Sequence, residues 1–133
     1  MKTNINDYSK RFIMNVYFAH AMPTYGTEIE KDQKAAIKKN FPKHTLVDPG
    51  AFQDNPQKRR GGMAYCLRLV RNCDALVFSR YLDEITAGVG KEVNYALSND
   101  LEVYELVNGK VKKVKVPVKC LSIEETMELY YTP

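Results

Sequence analysis

Residues 75–107 read ALVFSRYLDEITAGVGKEVNYALSNDLEVYELV, and this segment has the clearest strand-helix-strand pattern of the chain. The apolar run Ala75–Ser79 predicts a central strand, and Leu101–Val107 predicts the next strand. Between them, Gly88–Ser98 has the length and residue pattern of a helix. A strand, a helix and a second strand in this order predict a right-handed crossover between parallel strands.

The residues before this stretch repeat the same alternation. Phe12–Ala19 is an apolar, β-prone run that predicts a buried first strand, and Thr27 opens a helix through a Thr-x-x-Glu capping box. Thr45–Val47 predicts a short second strand. Residues 51–61 are polar and predict a mobile loop, whereas Gly62–Cys73 has apolar residues at helical spacing.

The residues after it predict an edge hairpin and a last helix. Asn108-Gly109 lies between two β-prone runs, which is the strongest short signal for a hairpin turn. The alternating Val and Lys residues of Lys110–Val116 are typical of an edge strand. Ser122-x-x-Glu125 is a second capping box, which opens a helix through Leu129. The fold class is therefore α/β, with a mostly parallel sheet, a C-terminal β-hairpin edge and a terminal helix.

Length and composition predict one domain, residues 1–133, and the few, irregularly spaced cysteines predict a reducing cytoplasm. The chain has 44% hydrophobic and 27% charged residues, ordinary values for a globular protein. No run approaches the ~20 apolar residues of a membrane-spanning helix, and the first eleven residues lack the apolar core of a signal peptide. The net charge of +4 comes from separate basic clusters without a nucleic-acid-reading motif. We therefore expect no membrane partner and no nucleic-acid partner.

Cysteine and histidine residues are too few to predict a metal or disulfide framework. The three cysteines are irregularly spaced, and the two histidines have no ligand pattern around them. Cys66 and Cys73 are expected to pack as small hydrophobic residues on one helical face. We expect no metal and no cofactor.

Ligands of parallel α/β sheets bind outside the carboxyl ends of the strands, where the strand order changes direction. This rule selects the loop after the first strand, the loop after the third strand and the start of the helix that follows. The expected ligand-binding residues are Ala19, His20, Thr24, Gly26, Asp83, Gly88 and Gly90. His20 has no carboxylate beside it in sequence, so it is interpreted as a polar loop residue and not as a catalytic one.

Glu92 is the candidate catalytic residue. Gly88 and Gly90 permit close approach of a ligand to the backbone, and Glu92 is expected in the first helical turn. The helix dipole would favour its ionised form there, and an ionised carboxylate beside a pocket can attack the anomeric carbon of a sugar. The alternative is that Glu92 only complements the dipole on a solvated turn.

A family resemblance adds to this reading. The stretch Gly88–Leu97, with Asp83-Glu84 before it and Leu101–Tyr104 after it, resembles the signature of the nucleoside 2-deoxyribosyltransferase superfamily. That group includes the 2′-deoxynucleoside 5′-phosphate N-hydrolases. Val16–Ala19 resembles the family's opening strand, and Asn72–Val77 resembles the start of its third strand. The resemblance covers residues 14 to 107 in the family's order.

The resemblance implies a flavodoxin-like three-layer sandwich with strand order 2-1-3-4-5. It also implies cleavage of the N-glycosidic bond of a small-molecule nucleoside or nucleotide: Glu92 attacks C1′ of the sugar, and Tyr17 hydrogen-bonds that carboxylate. Water or a second base then resolves the glycosyl-enzyme ester, giving hydrolysis or transfer. Relatives complete their sites from a neighbouring subunit, so a homodimer or higher homo-oligomer is expected. Four apolar C-terminal residues either offer contact surface or only cap the sheet edge of a monomer: Met127, Leu129, Tyr130 and Tyr131.

The chain departs from the family pattern at two positions. Cys66 stands where relatives usually have an aspartate that protonates or orients the leaving base, and Asn94 stands where they commonly have glycine. The acids on neighbouring loops that are candidates to replace that aspartate are Asp48, Asp83 and Glu84. Three functions stay open: a glycosidase or transferase, a catalytically impaired nucleotide-binding module, and an interaction or structural protein that keeps only the fold.

The sequence also predicts where a phosphate group of the substrate would bind. The loop Thr24–Thr27 and the helix start after it are the expected cradle, because backbone N–H groups at a helix start attract anions. Lys91 and Arg80 are possible helpers, although each is also an ordinary surface cation.

Overall fold

The computed structural model describes residues 13–131. Phe12, where the first strand was predicted to begin, lies outside the described residues, and that strand begins at Asn15. No helix within residues 13–131 is long and apolar enough to cross a membrane. The strands are β1 (Asn15–Ala19), β2 (Thr45–Val47), β3 (Ala75–Phe78), β4 (Glu102–Val107) and β5 (Lys110–Val114). The helices are α1 (Glu28–Asn40), α2 (Pro56–Gly61), α3 (Met63–Arg71), α4 (Ala87–Ser98) and α5 (Ile123–Tyr131).

The five strands form one sheet in the order β2-β1-β3-β4-β5. β1 pairs in parallel with β2 and β3, β3 pairs in parallel with β4, and β4 and β5 form an antiparallel hairpin. The predicted α/β class, strand order and hairpin edge are confirmed. Asn108 and Gly109 both have positive φ, 51° and 79°, as a tight hairpin turn between twisted strands requires.

Helices cover both faces of the sheet because β1 alternates its side chains between them. Val16 and Phe18 pack with Ile37 of α1 on one face. Tyr17 and Ala19 point to the other face, where Val70 of α3 and residues of α4 complete a larger core. Residues 16–19 of β1 and all four residues of β3 are buried, which explains why both strands are continuous apolar runs.

The two predicted capping boxes form to different extents. At α5, Ser122 and Glu125 each accept the other's backbone N–H, at 3.0 and 2.9 Å. At α1, Thr27 accepts the N–H of Glu30 at 3.3 Å, but the Glu30 carboxylate accepts the N–H of Gly26 at 2.9 Å. The Glu30 carboxylate therefore stays at the amino end of α1 and is directed toward the preceding loop.

Residues 51–61, predicted as a loop, contain helix α2, so that prediction is wrong. Asn55 caps the helix by accepting the N–H groups of Gln57 and Lys58, at 2.8 and 3.4 Å, and Pro56 occupies the first helical position. Apolar residues at helical spacing, which would predict a helix from the sequence, are absent from α2 because its side chains are mostly polar or charged. The Asn-Pro pair at its start is a helix-start signal that does not depend on apolar periodicity.

The segment between β5 and α5 crosses α4 and is held there by hydrogen bonds and close packing. The side-chain amide of Asn94 donates to the carbonyl of Val118 at 3.1 Å and accepts its N–H at 2.8 Å. A Cβ added at Gly90 would lie 2.4 Å from the Cβ of Cys120, so only glycine allows this close crossing. The backbone N–H of Ala87 then bonds to the hydroxyl of Thr126 in α5 at 2.9 Å. These contacts hold α5 beside the start of α4.

Candidate active site

A cavity of about 480 Å³ lies outside the carboxyl ends of β1 and β3. Its volume falls within the roughly 300–1,000 Å³ of typical small-molecule sites. The walls come from the loop after β1, the start of α4, the α2–α3 region and α5. The polar and sulfur-bearing groups among the lining residues include His20, Gln53, Lys58, Cys66, Thr86 and Glu92.

Glu92 lies in this cavity and contacts Tyr17 behind it. Its side chain is 5% exposed, and Tyr17 is fully buried. The Tyr17 hydroxyl donates a hydrogen bond to Oε2 of Glu92 at 2.5 Å. The structure thus brings together the two residues that the resemblance named as catalytic, 75 positions apart in sequence.

Glu92 does not lie in the first turn of its helix, so that prediction is wrong. α4 begins at Ala87, which makes Glu92 its sixth residue, and the first turn contains no acidic side chain. Burial raises the pKa of Glu92 from 4.5 to about 7, and the Tyr17 hydrogen bond, the Lys58 charge and the Cys66 thiol oppose this rise. The expected stabilisation of its anion by the helix dipole is replaced by desolvation, which favours the protonated acid.

Cys66 of α3 also lies beside the Glu92 carboxylate. It lines the cavity, and its thiol is close enough to Tyr17 and Glu92 for the three groups to affect one another's protonation. Burial, together with the Glu92 charge, raises the pKa of the Cys66 thiol, so the group stays protonated and uncharged. The position where the resemblance places an aspartate therefore supplies a weak hydrogen-bond donor.

His20 is buried against β1, and both of its ring nitrogens bond within the protein. The ring stacks on Phe18 with a centroid separation of 3.8 Å. Nδ1 donates to the Phe18 carbonyl at 2.9 Å, because a carbonyl only accepts. Nε2 lies 2.6 Å from the Glu30 carboxylate. His20 is among the residues that line the cavity, although it was interpreted as a polar loop residue.

His20 belongs to a cluster with Glu30, Asp48 and Lys34. One possible ligand atom from each of His20, Glu30 and Asp48 lies within 4.8 Å of the other two, which is the spacing of a metal-ligand set. The Lys34 ammonium, however, contacts Asp48 and lies 3.5 Å from Glu30. Burial disfavours the Glu30 anion, but hydrogen bonds from His20 and Gly26 outweigh it and hold its pKa below the ordinary value. The chain's own cation thus balances these carboxylates.

Of the predicted ligand-binding residues, His20 and Gly88 line the cavity and five others do not. Ala19 is fully buried in β1, and the Thr24 hydroxyl donates to the carbonyl of Ala21 at 2.7 Å. Gly26 donates its N–H to Glu30. Asp83 lies in a tight turn closed by the Tyr81–Glu84 bridge, and Gly90 faces Cys120. The strand-end rule selected loops that border the cavity, but it could not select the side of each loop that faces it.

The cavity also contains residues that the sequence reasoning did not include. Tyr25, Gln53 and Lys58 line one side, and Met127 and Tyr130 of α5 line another. Lys58 was missed because α2 was predicted as a loop. Tyr130 was expected at a subunit contact, but it packs edge-on against Tyr81 with ring centroids 5.6 Å apart.

Comparisons with protein-family models and with curated proteins find no match to this chain. Membership of the nucleoside 2-deoxyribosyltransferase superfamily therefore stays a prediction from the sequence resemblance. The geometry around Glu92 is the remaining ground on which a function is proposed.

Proposed function

We propose that this chain cleaves the N-glycosidic bond of a nucleoside or nucleotide, with Glu92 as nucleophile and Tyr17 as its positioning residue. The single observation that carries the proposal is the Glu92–Tyr17 pair at the base of the cavity, where Tyr17 donates at 2.5 Å. A buried tyrosine that bonds a buried carboxylate fixes the orientation of an acid that faces a sugar-sized space. The proposal includes a flavodoxin-like, single-domain architecture for the whole chain.

The proposed reaction depends on the positive charge that develops on the sugar as the bond breaks. As the bond from C1′ to the base nitrogen breaks, its electron pair leaves with the base and the sugar becomes oxocarbenium-like. A fixed anion in a poorly solvated cavity stabilises that positive charge strongly. The Glu92 carboxylate then forms an ester with C1′. Water attacks C1′, loses a proton to solvent and displaces the carboxylate, which releases the sugar. A second base in place of water would give transfer.

The leaving base takes its proton from water on the open side of the cavity. Among the described residues that line the cavity, Glu92 is the only carboxylate. Asp48, a candidate replacement for the missing aspartate, bonds Lys34, and neither Asp83 nor Glu84 lines the cavity. Without a carboxylic general acid, the rate is expected to be about 10²–10⁴-fold lower than with one.

Release of free base from ribo- and deoxyribonucleosides and their 5′-monophosphates, followed by chromatography, tests the proposal. Base release is expected in the wild type, loss of it in Glu92→Gln, and a large reduction in Tyr17→Phe. Tyr104→Phe is the matched control, because its hydroxyl bonds the exposed Glu102 on another part of the sheet. Base release that survives Glu92→Gln would refute the proposal.

A second candidate is a nucleotide-binding module that has lost catalysis. Cys66 in place of a carboxylate, together with the raised pKa of Glu92, favours it. Thermal stabilisation by a nucleotide without any base release would support this candidate. If neither effect occurs, the third alternative remains, an interaction or structural protein with this fold.

A further inference from the structure

The described wall of the cavity holds one carboxylic acid, and the proposed reaction already uses it. Within residues 13–131, Glu92 is the only carboxylate among the lining residues, and as nucleophile it must be an anion that faces C1′. It cannot also give a proton to the leaving base in that step. Most glycosidases use a second carboxyl group for this purpose.

Apart from Lys58, the other titratable groups among the described lining residues are poor proton donors. His20 already bonds a backbone carbonyl and a carboxylate through its two ring nitrogens. Burial raises the pKa of the Cys66 thiol and of the Tyr25 and Tyr130 hydroxyls. Acids this weak transfer a proton poorly near neutral pH.

Lys58 is the only Lys or Arg among the described lining residues. Its ammonium donates to the carbonyl of Pro49 at 3.0 Å and to the side-chain oxygen of Gln53 at 2.5 Å. Two of its three N–H groups are therefore bonded already. Its charge lowers the pKa of Glu92, so Lys58 favours the ionised form of the nucleophile.

Without a carboxylic proton donor, the charge of the base decides how easily it leaves. When the bond of a neutral nucleoside breaks, the sugar becomes positive and the base negative, and separating these charges is costly where water is scarce. A cationic base carries its positive charge before the bond breaks, so it leaves uncharged. The positive charge then only moves from the base to the sugar, where Glu92 stabilises it.

We infer that the substrate is a cationic N-glycoside, whose base is a pyridinium or an N7-alkylated purine and leaves without taking up a proton. This inference rests on the proposed function, because it uses Glu92 as the nucleophile. The bond from C1′ to the ring nitrogen breaks, its electron pair neutralises that nitrogen, and a Glu92 oxygen forms the ester with C1′. Water then attacks C1′, loses one proton to solvent and displaces the carboxylate. The products are the free sugar and the neutral base.

Two features of the cavity favour a flat cation. A bound positive charge favours the ionised form of Glu92, whose pKa is about 7, so the substrate itself promotes formation of the nucleophile. Tyr25 and Tyr130 line the cavity, and the faces of tyrosine rings attract cations. Repulsion from Lys58 acts equally on substrate and transition state, since both carry one positive charge, and it therefore weakens binding more than the chemical step.

The test compares cationic substrates with neutral partners of nearly the same shape. 7-Methylguanosine is paired with guanosine, in the ribo and the 2′-deoxy series, and nicotinamide riboside is paired with its neutral 1,4-dihydro form. Base release is followed by chromatography, and Glu92→Gln supplies the spontaneous rate to subtract. We expect kcat to be at least about hundredfold higher for a cleaved cation than for its neutral partner. The pair that is cleaved, purine or pyridinium, identifies the base.

Cys66→Asp tests the cause of this preference. It adds a carboxylic acid beside Glu92, so kcat should rise about tenfold or more for guanosine and not for 7-methylguanosine. Cys66→Asn has a similar shape without an acidic proton and should raise neither. A folded Cys66→Asp protein without a gain on guanosine would overturn the inference. If circular dichroism shows that this variant does not fold, the wild-type comparison decides alone.

Failure of the inference and failure of the proposed function give different results. A neutral nucleoside with a kcat within about hundredfold of its cationic partner overturns the inference, and the glycosidase proposal stands. Lys58→Met then tests whether Lys58 protonates the base. If neither kind of substrate is cleaved, the proposed function fails and thermal stabilisation decides. Stabilisation by nicotinamide riboside but not by its dihydro form, lost in Glu92→Gln, supports cation binding, and equal or absent stabilisation overturns it.

Discussion

At the scale of single residues, Glu92 shows a conflict between stability and the proposed chemistry. A buried carboxylic acid loses hydration when it ionises, which is why its pKa rises to about 7. Tyr17 compensates part of this loss with its hydrogen bond. The same arrangement that destabilises the folded protein at high pH keeps a poorly solvated carboxylate available near neutral pH, where its charge interacts strongly with a ligand.

Stability should therefore depend on pH through Glu92. The folded pKa of about 7 exceeds the ordinary value of 4.5, so the folded state holds a proton that the unfolded state releases between these values. Relative to Glu92→Gln, the wild-type free energy of unfolding should fall by about 3 kcal/mol as the pH rises from about 4 to about 8. Urea denaturation of both proteins across this range measures the difference.

Glu124→Gln, at an exposed position of α5, controls for the chemical change from acid to amide. The difference in free energy of unfolding between wild type and Glu92→Gln could instead stay constant with pH, or could favour the wild type as the pH rises. Either result would contradict the burial of this acid.

At the scale of secondary-structure elements, α4 joins the site to the C-terminal segment. One side of the helix presents Gly88 and Glu92 to the cavity. Another side presents Gly90 to Cys120 and Asn94 to Val118. Sequence reasoning assigned both glycines to ligand approach, because a pattern of Gly-x-Gly does not show which side of a helix is crossed by another segment.

Gly90→Ala should destabilise the protein although alanine favours a helix. The helix preference of alanine over glycine contributes about 1 kcal/mol, but the new Cβ would lie 2.4 Å from that of Cys120. Overpacking against a fixed segment costs about 1–3 kcal/mol, so we expect a net loss in urea denaturation.

Gly88→Ala in the same helix is the matched control. Its Cβ would meet only the terminal Cε of Met63, at 3.3 Å, and this flexible end can move aside. Replacing Cys120 with glycine should also relieve much of the Gly90→Ala defect. A Gly90→Ala protein as stable as the wild type would show that the segment does not cross α4 this closely.

At the scale of the whole molecule, the mouth of the cavity exposes apolar side chains. Ile123 is 74% exposed and Met22 is 59% exposed, and both line the cavity. The resemblance led us to expect a homodimer or higher homo-oligomer with a contact through the C-terminal residues. Apolar surface beside a ligand site is typical of a surface that another subunit covers.

Sedimentation velocity tests this expectation. The wild type should sediment as a dimer or larger, and Ile123→Asp should shift it toward the monomer, because a charge at the centre of an apolar interface is costly. Ile13→Asp is the matched control, since Ile13 is 67% exposed but precedes β1, at the opposite end of the sheet. A monomeric wild type at micromolar concentration would refute the expectation.

The sequence alone sufficed to predict a mostly parallel sheet, because β1 and β3 are continuous apolar runs and the strands alternate with helices. The strand order came only from the family resemblance. The sequence also named Glu92 and Tyr17, through a resemblance that depends on short motifs. The tertiary structure alone decided the titration of Glu92, since its desolvation and its contacts with Tyr17 and Cys66 come from separate elements. It alone placed Lys58 in the cavity and the Glu30 carboxylate at the predicted phosphate cradle. Charge and burial at a site depend on distances between segments far apart in sequence, and residue spacing along the chain does not contain them.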